Sequence, residues 1–153
     1  MTDKPFQRIG SISNTHAGED FESVVAEYFA SQGVPLLKKF PVEVGLSGRK
    51  KKHKFDLGSQ EHKILVECKS HTWTSGGNVP SAKMTVWNEA MLYFLSAPSE
   101  YRKILAVLKD KLEHRGETLA SYYLRTYAHL IPEFVEIWEF DLVSGEVGKL
   151  HPL

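Results

Sequence analysis

Residues 36–44, 51–57 and 62–70 read as three strands in succession, parted only by the glycine-bearing turns Gly45-Leu46-Ser47-Gly48 and Gly58-Ser59-Gln60-Glu61. Connections this short leave no room for a helical crossover, so the three strands are restricted to antiparallel hairpins. Pro41 has no amide donor, which places the first strand at a sheet edge or bends it. Such an array needs apolar cover, and the flanking sequence supplies it. Over 18–33, Phe21, Val24, Val25, Tyr28 and Phe29 recur at i, i+3, i+4, i+7 and i+8, the stripe of an amphipathic helix closed by Gly33. A second helix is predicted over 80–95, with Met84, Trp87, Met91 and Phe94 on its apolar side and Pro98 beyond its end. Residues 102–108 read as a buried strand, 117–130 as a third helix and 134–142 as a further strand, and Ser144-Gly145 turns the chain into a short final strand. The order αβββαβ, then αββ, predicts an α/β fold in which helices flank a mixed central sheet. At 153 residues, one domain is expected.

Several function classes are set aside by composition. A single cysteine, Cys68, provides neither a disulfide framework nor a multi-thiolate zinc site, and the seven histidines form no HExxH pair, so any bound metal is expected on oxygen ligands. No apolar run approaches the roughly 20 residues of a membrane span. The opening Met1-Thr2-Asp3-Lys4-Pro5 lacks the apolar stretch of a secretory signal, so a cytoplasmic setting without membrane contact is expected. Net charge is zero, but Arg49-Lys50-Lys51-Lys52-His53-Lys54 is a concentrated basic run, with Lys38 and Lys39 upstream. It is either a solvated loop or a phosphate-contacting face.

The chemistry centres on Lys54-Phe55-Asp56-Leu57-Gly58 and Ile64-Leu65-Val66-Glu67-Cys68-Lys69. Alternation along the strand puts Glu67 and Lys69 on one face, with Val66 and Cys68 on the other. A carboxylate and an ammonium leaving an otherwise apolar strand are costly unless compensated. Asp56, at the end of the preceding strand, is placed to lie alongside Glu67. Two carboxylates that close repel unless a divalent cation sits between them. Mg²⁺ or Mn²⁺, bound by one or two carboxylates and keeping several waters, suits the pair. Such an ion acidifies a bound water and clamps phosphate oxygens, while Lys69 orients the attacking water and stabilises the developing charge. These are the needs of phosphodiester hydrolysis. An E-x-K tripeptide arises by chance about once in every couple of chains this size. Glu61-His62-Lys63 is a second match that lacks a strand-end aspartate upstream. The competing reading of Glu67 and Lys69 is a strand-surface ion pair.

Gly18-Glu19-Asp20-Phe21-Glu22 on the first helix, followed by Asp56 and then Glu67-Cys68-Lys69, resembles the PD-(D/E)XK (restriction-endonuclease-like) nuclease superfamily. The motifs are nearest to its Mrr-like and archaeal Holliday-junction-resolvase-like branches, over roughly residues 15–110. The resemblance implies a restriction-endonuclease-like core and Mg²⁺-dependent cleavage of DNA. It implies Asp56 and Glu67 as metal ligands, the backbone carbonyl of Cys68 as a third, Lys69 as the catalytic lysine, and Glu22 as an acid that binds a metal directly or through water. Phe55 stands where the name-giving proline would precede Asp56, a position that offers no ligand. Glu22 is alternatively a first-turn acid favourable to the helix dipole. Cys68 reads as a small core residue rather than a nucleophile.

Arg49, Lys50, Lys51, Lys52 and Lys54 lead into the strand that carries Asp56, and the loop 71–78 follows the strand that carries Glu67. DNA contacts are therefore expected from the basic run, from His71 and Trp73, and from Lys83 and Asn88 on the second helix. Trp73 either stacks on or wedges between bases, or is a buried anchor for its loop. Trp87, on the apolar stripe, is expected in the core. One site per domain and two strands per duplex predict a homodimer. Three alternatives remain: a structure-selective Holliday junction resolvase, a catalytically inactive nucleic-acid-binding subunit of the same fold, and a plain α/β scaffold.

Overall fold

The computed structural model describes residues 14–152, with side chains from Gly18 onward. In chain order it contains α1 (Asn14–Ser31), β1 (Leu37–Val44), β2 (Lys51–Ser59), β3 (Ile64–Lys69), α2 (Ser81–Ser96) and β4 (Arg102–Leu108). β5 (Lys111–Leu112), β6 (Glu117–Thr118), α3 (Leu119–Tyr127), a 3-10 turn (Ala128–Leu130), β7 (Val135–Phe140) and β8 (Val147–His151) follow. Six strands form one mixed sheet in the order β1-β2-β3-β4-β7-β8. β1, β2 and β3 run antiparallel, β3, β4 and β7 parallel, and β8 antiparallel to β7. The mixed α/β sheet flanked by helices is thus the architecture that the element order predicts. β1 is an edge strand, which accommodates Pro41.

Each helix buries the stripe its spacing marks. Phe21, Val25 and Phe29 of α1 pack with Leu57, Ile64, Val66, Ile104, Ala106 and Phe140 on one face of the sheet. On the other face, Met84, Trp87, Met91 and Phe94 of α2 and Leu119 and Tyr123 of α3 pack with Phe55, Leu65, Leu105, Val107 and Ile137. β4 serves both cores, which is why its sequence is apolar without alternation. α1 ends where Gly33 adopts φ 82°, and the Gly33 and Val34 amides donate to the Ala30 and Phe29 carbonyls. Residues 117–118, expected to open the third helix, instead pair with Lys111 and Leu112. Thr118 then caps α3, its hydroxyl accepting from the Ser121 amide at 3.1 Å. Among the described residues, no helix is long and apolar enough to cross a membrane.

One local departure from regular pairing positions the site. The β1–β2 register runs Leu37↔Gly58 and Lys38↔Leu57, then resumes at Phe40↔Phe55, leaving Lys39 and Asp56 out of the ladder. Lys39 takes φ 53°, a left-handed conformation uncommon for a residue with a Cβ. Phe55 faces the α2 core, whereas Leu57 faces the α1 core, so β2 changes face at Asp56. The simple alternation assumed from sequence does not run through that residue. On its other edge, β2 pairs with β3 only from Leu57↔Val66 to Ser59↔Ile64. Asp56 and Glu67 therefore stand where the two strands part.

Candidate active site

Asp56 turns its carboxylate into this gap, and its Oδ2 accepts the Cys68 amide at 2.8 Å. That bond replaces a missing rung of the ladder and holds Asp56 against the strand end that carries Glu67 and Lys69. Glu67 is 7% exposed, and its Oε2 lies 3.3 Å from His53 Nε2 while its Oε1 lies 3.9 Å from Lys69 Nζ. Glu22 reaches in from α1, half-buried, and hydrogen-bonds Asp56. Acids thus approach from both faces of the sheet, and Asp56 interacts with both of the others.

The electrostatics follow from this crowding. Burial, then the charge and hydrogen bond of Asp56, push the Glu22 carboxyl up to about 7, against the pull of Lys38 and Lys39. Burial, reinforced by Asp56, also raises Glu67, while His53 and Lys69 oppose the shift. The Cys68 thiol is driven well above its ordinary value by burial and then by Asp56, Glu22 and Glu67. A thiol so disfavoured as thiolate is no nucleophile, and the side chain packs against the α1 core.

Comparison of the chain with protein-family models, with curated proteins and with solved structures found no match. Among the described residues, no group of three or more His, Cys, Asp or Glu side chains is arranged to hold a metal ion. A metal here would rest on fewer side-chain ligands, completed by a main-chain carbonyl and water, which is a coordination that Mg²⁺ accepts. The donor set fits that chemistry: these are hard oxygens, two of whose proton affinities are raised by burial and, beyond that, by repulsion from Asp56, and a shared divalent charge would offset both.

Arg49, Lys50, Lys51, Lys52 and Lys54 are all exposed, on the β1–β2 hairpin and the outer half of β2. Lys50 Nζ donates to the Gly45 carbonyl at 3.2 Å. Lys38 Nζ donates to Ser23 Oγ at 2.8 Å, which carries positive charge over α1 near Glu22. Lys83 is exposed on α2. His71 accepts the Trp87 indole N–H on its Nδ1 at 2.9 Å, and Trp87 itself is fully buried, as expected.

Two expected DNA contacts lie elsewhere. Trp73 is 4% exposed: its indole N–H donates to the Asp110 carbonyl and its amide to Asp110 Oδ2, both at 2.9 Å. Arg115 lies 4.5 Å over its ring, and Tyr122 packs edge-on. Buried and hydrogen-bonded in this way, Trp73 takes the second of its two expected roles, the anchor of its loop. Asn88 accepts the Tyr123 hydroxyl at 2.8 Å, which turns it into the interior instead of toward a phosphate backbone.

Sequence reasoning missed His53, which it counted only as part of the basic run. Its ring stacks on Tyr93 with centroids 3.7 Å apart and meets Phe55 edge-on at 4.6 Å, so the imidazole is held rigidly against Glu67. The available signal was its spacing, three residues before Asp56 and in phase with buried Phe55.

Proposed function

We propose that this chain is a metal-dependent endonuclease of the PD-(D/E)XK type, hydrolysing DNA phosphodiester bonds with a metal-activated water. The observation that carries the reading is the placement of Asp56 at the parting of β2 and β3. There it bonds the Cys68 amide and shares one acidic cluster with Glu67 and Glu22, with Lys69 3.9 Å from Glu67. The order α1-β1-β2-β3-α2-β4 is read as the restriction-endonuclease-like core. Asp56, Glu67 and the Cys68 carbonyl would hold Mg²⁺ or Mn²⁺, with Glu22 reaching it through water. When bound, that ion supplies an acidified water and a counter-charge for the phosphate.

The chain's own side chains do the rest. Lys69, its ammonium confined beside Glu67, orients the attacking water and offsets the charge that grows on phosphorus. His53 holds the Glu67 carboxylate in one orientation, which lowers the cost of organising the site. The exposed lysines of β2 supply sequence-independent phosphate contacts. A homodimer would place one such site on each strand of a duplex.

The test is Mg²⁺-dependent cleavage of duplex, four-way-junction and single-stranded DNA. Asp56→Ala and Lys69→Ala are expected to slow cleavage by at least about 100-fold, the usual effect of removing a catalytic or charge-stabilising group. Wild-type rates in either variant would refute the assignment. Calorimetry is expected to show Mg²⁺ or Mn²⁺ binding that disappears in Glu67→Ala.

A further inference from the structure

Beside Lys69, the segment after β3, the first turns of α2 and Gly18 of α1 line an open-mouthed cavity of about 440 Å³. Its volume falls within the range of roughly 300–1,000 Å³ typical of pockets for small organic ligands. Its lining differs sharply from the acidic cluster next to it. Among the described residues, no carboxylate lines it; Lys69 and Lys83 supply positive charge, Thr72 and Ser75 supply hydroxyls, and Val86 contributes an apolar wall. A ligand matched to this surface is part anionic, part hydrogen-bonding and part flat and apolar. That combination describes a nucleoside phosphate.

The geometry points to this cavity as a subsite for one unpaired nucleotide of the DNA strand, adjoining the phosphodiester that Lys69 addresses. The inference rests on the nuclease reading and narrows its substrate class. A paired base is stacked above and below and cannot enter a recess of this size without leaving the helix. An unpaired nucleotide enters without the cost of breaking a base pair, so the site selects for it.

The wall of the cavity is built before any substrate arrives. Within the loop, the Thr74 amide donates to the Asn78 carbonyl at 3.0 Å, the Asn78 amide to Thr74 Oγ1 at 2.9 Å, and the Gly77 amide to the Thr74 carbonyl at 2.9 Å. From outside it, Asp110 binds Trp73 twice and Arg115 Nε donates to the Gly77 carbonyl at 3.0 Å. Trp87 pins the His71 ring from below. A wall so held loses little freedom on binding, which favours recognition of a single nucleotide. Trp73 thus serves the substrate indirectly, by fixing the wall.

The experiment measures binding, so that it does not depend on cleavage. Fluorescence anisotropy in EDTA compares a labelled duplex containing one unpaired nucleotide with the fully paired duplex of the same sequence. The unpaired substrate is expected to bind about tenfold more tightly, a difference of about 1.4 kcal/mol. Ser75→Trp, on the loop, and Val86→Phe, on α2, fill the cavity from opposite walls, and circular dichroism verifies that each is folded. Either folded variant is expected to bring the two affinities within about twofold. Equal affinity in the wild type, or a preference that survives in the folded variants, overturns the subsite. Competition by free deoxynucleoside monophosphate but no preference among the duplexes also overturns it, by assigning the cavity to a free nucleotide. A preference without Mg²⁺-dependent cleavage leaves the subsite standing and overturns the nuclease reading. Cleavage without a preference does the reverse.

Discussion

Replacing Glu22 by Gln should make the metal-free protein more stable at neutral and alkaline pH. The folded chain holds the Glu22 proton up to about pH 7, whereas the unfolded chain releases it near the ordinary 4.5. Between those values the native state binds more protons than the unfolded state, so stability falls as pH rises through the window. At full strength, a separation of about 2.5 pH units, each worth about 1.36 kcal/mol, is about 3.4 kcal/mol. Glu22 is only half-buried, and solvent screening reduces this to about 1–2 kcal/mol. Gln preserves the shape and a hydrogen bond to Asp56 without ever carrying charge. Urea denaturation in EDTA is therefore expected to find Glu22→Gln about 1–2 kcal/mol more stable than wild type near pH 8, with the two converging near pH 5. Adding Mg²⁺ is expected to stabilise wild type more than the variant, since the ion relieves the repulsion that the substitution has already removed. Stability curves that stay parallel from pH 5 to 8 would show that Glu22 is neither desolvated by burial nor repelled by Asp56, and the acidic cluster as described would fall.

The fold and the basic run yield further expectations. A Cβ on Gly58 would lie 2.5 Å from Phe40 Cδ2, so Gly58→Ala overpacks the β1–β2 contact and is expected to cost about 1–3 kcal/mol by urea denaturation. Asp110→Ala leaves the Trp73 amide without its acceptor and is expected to cost about 1–3 kcal/mol. Hydrogen exchange at that amide should accelerate, and unchanged protection would show that another group anchors the loop. Serine at Lys51, Lys52 and Lys54 together is expected to flatten the dependence of log K on log salt by about 0.7–0.9 for each phosphate that is no longer neutralised. An unchanged slope would assign the run to solvent.

The stripes Phe21, Val25, Phe29 and Met84, Trp87, Met91, Phe94 were legible in the sequence because periodicity records only which side of an element faces away from water. The pairing of Glu67 with Lys69 was readable for the same reason, since two residues apart on a strand share a face. Trp73 offered two roles of equal chemical sense. The choice fell to Asp110, 37 residues further on, and to Arg115, which covers its ring. His53 looked like one more base in a charged run, because the Tyr93 ring that positions it lies on α2. Residues 117–118 follow helical patterning locally, yet pairing with 111–112 across a tight turn competed successfully for their backbone.

The amino-acid order by itself determined the six strands of the main sheet, the three helices, their buried sides and the residue types available for chemistry. All of these depend on near neighbours in the chain and on the partition between water and apolar surroundings. Only the tertiary structure decided that β2 changes face at Asp56, where Lys39 leaves the ladder and β3 parts from it, and that Glu22 meets that carboxylate from α1. Electrostatic energy depends on distance in space, and these distances arise only when separate elements pack together.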